Sequence, residues 1–334
     1  MEIFTQQFIV FALSLFGSTA LMPLLISFAK RHQLLDIPNL RSSHIIQVPR
    51  IGGVVFFVAV AVFVIVARNK FDPQGLGFMF AGAILLFAIG LYDDLRSVKP
   101  MVKMFAQIIA LFGIVRYYHD AIESFRLASL FELIPPGVFQ VLVFGFFLVL
   151  INAINLIDGI DGLAALISIN FFAVMALFFY RSEHVHFSLL SLVLIGSIVA
   201  FLFFNLSYRY KVFMGDCGSL LLGYLMCGFS LQLMESCCCG TTSNELSGNE
   251  IALIFLALFS LPVFDLLRVM ALRLYHGQQI FQADRIHLHH VILDKSGRSH
   301  LFTAALLFTI HMSIIVLSLV AMNAVGVPDE AVLF

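Results

Sequence analysis

Apolar residues gather in long unbroken runs separated by short polar connections. Runs of spanning length lie at residues 3–28, 51–67, 75–92, 101–118, 137–153, 162–180, 187–206, 219–235, 250–272 and 301–322. A helix rising about 1.5 Å per residue needs roughly 20 such positions to cross a hydrocarbon layer of about 30 Å. The runs are apolar on every side, without the two-residue alternation of a barrel strand or the single stripe of a soluble helix. The pattern predicts an all-α chain, a polytopic helical membrane bundle of about ten transmembrane helices. No repeat or low-complexity stretch divides it, so residues 1–334 are expected to form a single transmembrane domain.

Composition sharpens that reading. At 61% hydrophobic and 12% charged residues, with a mean hydropathy of +1.01, the chain carries more apolar surface than a soluble core of 334 residues could hide. A net charge of −1 points to no nucleic-acid partner and leaves the lipid bilayer as the expected surrounding. The first run, Phe8 to Phe28, follows an acidic residue and precedes Lys30 and Arg31, the reverse of a cleavable signal, so it is read as a retained helix.

Ten spans sort the connections onto two faces. Of the 19 Lys and Arg residues, 14 fall after odd-numbered spans, among them Arg50, Arg96, Lys99, Lys103, Lys211, Arg285 and Lys295. The positive-inside rule makes that face cytosolic and puts both termini outside. All eight glutamates lie on the other face, whereas the cytosolic acids are aspartates throughout: Asp36, Asp93, Asp94, Asp158, Asp161, Asp216, Asp265, Asp284 and Asp294. Short carboxylates at helix ends beside basic loops suit phosphate and metal chemistry, although caps and turns also favour Asp. The five cysteines match no metal-ligand spacing, and the consecutive Cys237, Cys238 and Cys239 are expected in a tolerant outer loop.

Each cytosolic connection carries a polar cluster, and the active site is expected to be built from residues 29–50, 93–100, 152–163, 207–219 and 273–300. In LYDDLRSVKP, Asp93 and Asp94 stand side by side; two such carboxylates repel, which can raise one pKa and make that group a usable base. In NAINLIDGIDGLAA, Asn152, Asn155, Asp158 and Asp161 recur every three residues, with Gly159 and Gly162 allowing tight turns. Such groups between two spans are costly unless water or a ligand satisfies them. YRYKVFMGDCGSLLLG sets Asp216 between Gly215 and Gly218 at a helix start, suited to a cap or to anchoring a Mg²⁺ held mainly by substrate oxygens and water. QADRIHLHHVILDKSGRSH brings His287, His289 and His290 beside Arg285, donors for a diphosphate; zinc is the other reading, without the His-Glu-x-x-His of a protease. RSSHIIQVPRIGG places Ser43, His44 and Arg50 around a helix start marked by Gly52 and Gly53, a candidate anion cradle.

Together these strings resemble the polyprenyl-phosphate N-acetylhexosamine-1-phosphate transferase family, glycosyltransferase family 4, over residues 36–300 and in the family's motif order. SSHIIQVPRIGG, LPVFDLLRV with Pro262 and Asp265, and HLHH are similar to the branch that starts lipopolysaccharide O-antigen, enterobacterial common antigen or teichoic-acid linkage synthesis. The resemblance implies transfer of GlcNAc-1-phosphate from UDP-GlcNAc, or of another N-acetylhexosamine-1-phosphate, to undecaprenyl phosphate with release of UMP. It implies Mg²⁺, with Mn²⁺ as a substitute, held by Asp216 and by Asn155 as a second ligand. It puts Phe213 on uracil, Asp158 and Asp161 at the nucleotide or metal, and His287, His289, His290 and Arg285 on diphosphate or sugar. Asp93 and Asp94 would activate the lipid phosphate, Asn205 would bind the nucleoside, and Ser43, His44, Arg50 and Asn152 complete the expected contacts. The implied setting is a bacterial inner membrane with the site facing the cytosol, and a homodimer is compatible with it. A proton-coupled transporter is the competing class, but it needs ionisable groups near mid-membrane, where these spans are almost uncharged.

Overall fold

A computed structural model describes residues 2–36, 47–70, 73–182, 184–238, 246–277, 287–297 and 299–325. In chain order its helices are α1 (Glu2–Arg31), α2 (Gly53–Ala67), α3 (Pro73–Leu95), α4 (Pro100–Tyr117), α5 (His119–Leu127) and α6 (Pro136–Ile157), then α7 (Leu163–Arg181), α8 (Val185–Asn205), α9 (Gly215–Cys238), α10 (Gly248–Tyr275), α11 (Leu288–Ser296) and α12 (His300–Val325). All ten predicted runs are helices, and among the described residues nine helices are long and apolar enough to cross a membrane. The remaining run, 51–67, is α2, a shorter apolar helix of 15 residues, about 22 Å of rise, followed by a single tight turn at Arg68–Lys70. The short α5 and α11 were not foreseen, being too brief and too mixed in polarity to register as spans. Proline opens α4 and α6, where a missing N–H costs nothing. A two-residue antiparallel pair, β1 (Leu35–Asp36) with β2 (Val48–Pro49), clips the end of α1 to the start of α2.

The bundle is built around α9, in which every residue from 217 to 234 is buried, unlike any other span among the described residues. With lipid outside there is little hydrophobic drive between helices, so close packing has to supply the attraction. Small residues make it possible. Gly223 lies against the backbone of Ile151 on α6, and Gly82 of α3 leaves room for Tyr224, whose hydroxyl donates to the Phe78 carbonyl at 3.2 Å. Edge-to-face rings of Phe171, Phe172, Phe179, Phe187 and Phe229 fill the space between α7, α8 and α9. By contrast α1 turns Phe8, Leu13, Phe16 and Leu24 outward, as a helix bathed in lipid would. The chain is therefore a multi-pass membrane protein.

Candidate active site

The polar centre forms where α9 begins. Gly215 has φ +74°, a left-handed conformation that glycine takes without strain, and the turn aims the first N–H groups of α9 at α3. Asp94 meets them: its Oδ1 accepts from the Asp216 N–H at 2.9 Å and its Oδ2 from the Cys217 N–H at 3.0 Å. A Cβ on Gly215 would strike the Asp94 carboxylate, and one on Gly90 of α3 would come within 2.6 Å of the Asp216 backbone. The glycines are thus spacers that bring α3 and α9 into backbone contact.

Asp216 emerges from this knot with both oxygens engaged. Lys103, on the first turn of α4, gives its Nζ to Asp216 Oδ2 at 2.6 Å and to Asp93 Oδ2 at 3.3 Å. Asn155, at the end of α6, donates from Nδ2 to Asp216 Oδ1 at 3.1 Å and to Ser219 Oγ at 2.8 Å. The predicted Asp pair accordingly splits, since Asp93 turns to the Val98 N–H at 2.6 Å while Asp94 caps α9. The two adjacent carboxylates therefore have different anchors. Asn152 is also otherwise employed: it exchanges hydrogen bonds with Gln107, at 2.7 and 3.4 Å, tying α4 to α6.

A second cluster adjoins the first. Asp161 Oδ2 binds Lys211 Nζ at 2.6 Å and lies 3.3 Å from His300 Nδ1 at the start of α12. Burial alone would raise the Asp161 pKa, but the nearby His300 and the hydrogen-bonded Lys211 outweigh it and hold this carboxyl below the ordinary range. Asp158 goes the other way: desolvation, then the charges of Asp216, Asp94 and Asp161, push it well up, with Arg50 opposing. Phe213 is half-buried with the Lys211 ammonium 5.6 Å from its ring centroid. Asn205 is hydrogen-bonded within the fold. Its Oδ1 accepts from the Gly162 N–H and its Nδ2 donates to the Val212 carbonyl, both at 2.8 Å, so it braces one connection against another.

The histidine motif reaches this region through α11. Asp265, 2% exposed on α10, takes the Leu288 N–H at 2.8 Å and the His287 Nδ1 at 3.0 Å, which caps α11 and fixes the His287 ring. His289 stacks on His287 with centroids 5.8 Å apart, and its Nε2 lies 2.7 Å from where a Cβ on Gly159 would be. That nitrogen is buried with no hydrogen-bond partner. Burial, reinforced by the neighbouring His290, lowers the His289 pKa to about 3, so it offers a neutral imidazole in place of a cation.

The cradle expected at Gly52 and Gly53 is closed. Their N–H groups donate to the Phe213 and Met214 carbonyls at 2.9 and 2.8 Å, and Gly53 packs backbone-to-backbone on Gly218. Arg50 has an exposed side chain near enough to act on Asp158. Ser43, His44 and Arg285 lie outside the described residues. Sequence reasoning missed Lys103 as a site residue and Asp265 as the holder of α11. A lone lysine one turn into an apolar run was a usable signal for the first.

An aspartate-rich centre of this kind, gathered from connections far apart in the chain at one end of a membrane bundle, is the class of site that handles a charged substrate at a lipid surface. The family model described as glycosyl transferase family 4 matches residues 76–234. A Yersinia pestis undecaprenyl-phosphate alpha-N-acetylglucosaminyl 1-phosphate transferase is 31% identical over 269 residues, 78% of this chain and 69% of that protein. The Escherichia coli (strain K12) protein of the same name is 29% identical over 276 residues, 79% and 70% respectively. A Bacillus subtilis (strain 168) protein named "Probable undecaprenyl-phosphate N-acetylglucosaminyl 1-phosphate transferase" is 30% identical over 303 residues, 90% of this chain and 81% of that one. The chain belongs to glycosyl transferase family 4 and is a membrane-embedded transferase.

Proposed function

We propose that the protein transfers N-acetylglucosamine-1-phosphate from UDP-GlcNAc to undecaprenyl phosphate, releasing UMP, at the cytosolic face of a bacterial inner membrane with both termini outside. The observation that carries it is the meeting of Asp94, Lys103, Asn155 and Asp216 at the start of α9 in a chain of this family. The names of the relatives support the substrates, and the basic residues on the same connections support the orientation.

The donor set fits a divalent cation. Asp93, Asp94, Asp158, Asp161 and Asp216 outnumber Lys103, Lys211 and Arg50 around them, and burial together with the neighbouring carboxylates pushes Asp158 up. Among the described residues no three His, Cys, Asp or Glu side chains gather to hold a metal by themselves. Asp216, with Asn155 beside it, would therefore hold Mg²⁺ whose other ligands are substrate oxygens and water, and Mn²⁺ would substitute. Bound there, the ion supplies neutralisation of the donor diphosphate.

An oxygen of the lipid phosphate attacks the sugar-bearing phosphorus, the new P–O bond forming as the bond to UMP breaks. With a second pKa near about 6, the acceptor phosphate is largely dianionic at neutral pH and asks little of a base. Alignment is the main demand. Lys103, placed between Asp93 and Asp216, would move to a phosphate oxygen when a substrate arrives, and Arg50 would add charge at Asp158. Phe213 offers a ring face to the base, and the neutral His289 a directed hydrogen bond. Both oxygens of Asp93 and of Asp94 are engaged in the fold, which favours direct transfer over a phospho-aspartate route. Purified protein given UDP-GlcNAc, Mg²⁺ and undecaprenyl phosphate should release UMP only when all three are present. Silence across a panel of UDP-N-acetylhexosamines would overturn the proposal.

A further inference from the structure

Away from the polar end, among the described residues, one histidine lies wholly inside the body of the bundle: His311 on α12, 0% exposed. Both ring nitrogens are engaged. Nε2 is 2.9 Å from the Leu258 carbonyl of α10, and Nδ1 is 3.2 Å from Nδ2 of Asn170 on α7, itself 3% exposed. A carbonyl only accepts and an amide nitrogen only donates, so the imidazole is neutral with its proton on Nε2.

The choice of carbonyl matters. Leu258 stands four residues before Pro262, the proline inside α10, and proline has no N–H to return to it. The Leu258 oxygen is therefore one that the helix cannot satisfy from within. In lipid a freed backbone group must find its donor on a neighbouring helix, and His311 provides it. Three residues beyond the proline is Asp265, which holds the first turn of α11 and the His287 ring. The stretch of α10 after Pro262 has lost one rung of its own ladder, so contacts across to neighbouring helices set its course.

We propose that His311, backed by Asn170, is a positioning residue: by closing the hydrogen-bond gap that Pro262 opens in α10, it sets the place of Asp265 and through it of α11, whose His289 faces the 158–162 connection. The proposal leans on the proposed transfer reaction only for a kinetic readout, and hydrogen exchange tests it independently.

His311→Phe removes the donor at similar volume. Pro262→Ala restores an N–H that reaches Leu258 and should make the imidazole dispensable. In the full-length protein, amides 288–296 of His311→Phe should exchange about tenfold faster than in the parent, with α8 unchanged. His311→Gln, whose amide can reach the same carbonyl, should match the parent, and the Pro262→Ala/His311→Phe double variant should return to within about threefold of it. With UMP release as the assay, His311→Phe should lower kcat/KM for the UDP-sugar while leaving the KM for the lipid acceptor unchanged. Unaltered exchange of α11 in His311→Phe, or a double variant as fast as the single, overturns the proposal. Should His311→Phe fail to fold, folding of the double variant supports it and failure of both overturns it. A parent without transferase activity would sink the functional reading, and the exchange result would still decide this one.

Discussion

The two ends of α9 sit in the same bundle and treat charge in opposite ways. At its C-terminal end Tyr118 donates to Gln232 Oε1 at 2.7 Å, Gln232 donates to Glu235 at 2.8 Å, and Arg126 pairs with Glu123 at 2.6 Å while also taking the Glu132 and Ile134 carbonyls. Donors and acceptors there saturate one another, which is what a structural network needs when it is buried. At the N-terminal end carboxylates outnumber cations, burial and neighbouring charge push Asp158 well above its ordinary range, and the His289 Nε2 has no partner. A fold that tolerates such an excess at one end and completes its pairing at the other has reserved the first end for something that arrives.

The largest effect should come from the reserved end. Asp216→Asn is expected to cut turnover by about 1,000-fold or more, measured as UMP release, with the thermal midpoint in detergent little changed. Near-parental activity would remove Asp216 from the proposed metal site. Asp94→Ala takes the cap from α9 and should act on both axes, lowering activity by about 100-fold and stability by about 2 kcal/mol in chemical unfolding. A variant that lost only activity would show the capping role to be minor.

Asp158 tests the charge excess directly. Its proton is held more tightly in the folded protein than in the unfolded chain, where Asp titrates near about 4, so its ionisation opposes folding increasingly as pH rises from there through the raised value. In chelator, Asp158→Asn should therefore melt higher than the parent at about pH 8, and the advantage should shrink toward about pH 5. An advantage that grew on acidification would reverse the reading. At the saturated end, Gln232→Ala leaves the buried Tyr118 hydroxyl without its acceptor, costing roughly 1–3 kcal/mol, while UMP release stays within about twofold of the parent. A large loss of turnover there would erase the contrast between the ends. Changing Cys237, Cys238 and Cys239 together to Ser should have the smallest effect, with activity unaltered in the same assay; Cys239 lies outside the described residues.

The spans were legible because twenty apolar positions in a row have one physical outcome in lipid, and the 3.6-residue geometry does the rest. Asp216 and Asn155 were each legible because polar side chains flanked by spans stand out against an apolar background, and the family resemblance implied their pairing. What pairs with what was not legible. Asp93 and Asp94 look equivalent in sequence, yet adjacent helix residues point about 100° apart, so one meets α9 and the other the turn at Val98. Asn205 reads as a ligand contact, but Gly162 and Val212 happen to converge on it.

By itself the sequence determined that this chain is a helical membrane protein and, through the motifs in its connections, the family to which it belongs. These follow from local composition and short spacings, which need no knowledge of distant partners. Only the tertiary structure decided that the Gly52–Gly53 amides are closed, that Lys103 bridges Asp93 and Asp216, and that Asp265 carries α11. Each of those depends on a contact between residues remote in the chain, and close packing around α9 selects one such contact from the many that the sequence would allow.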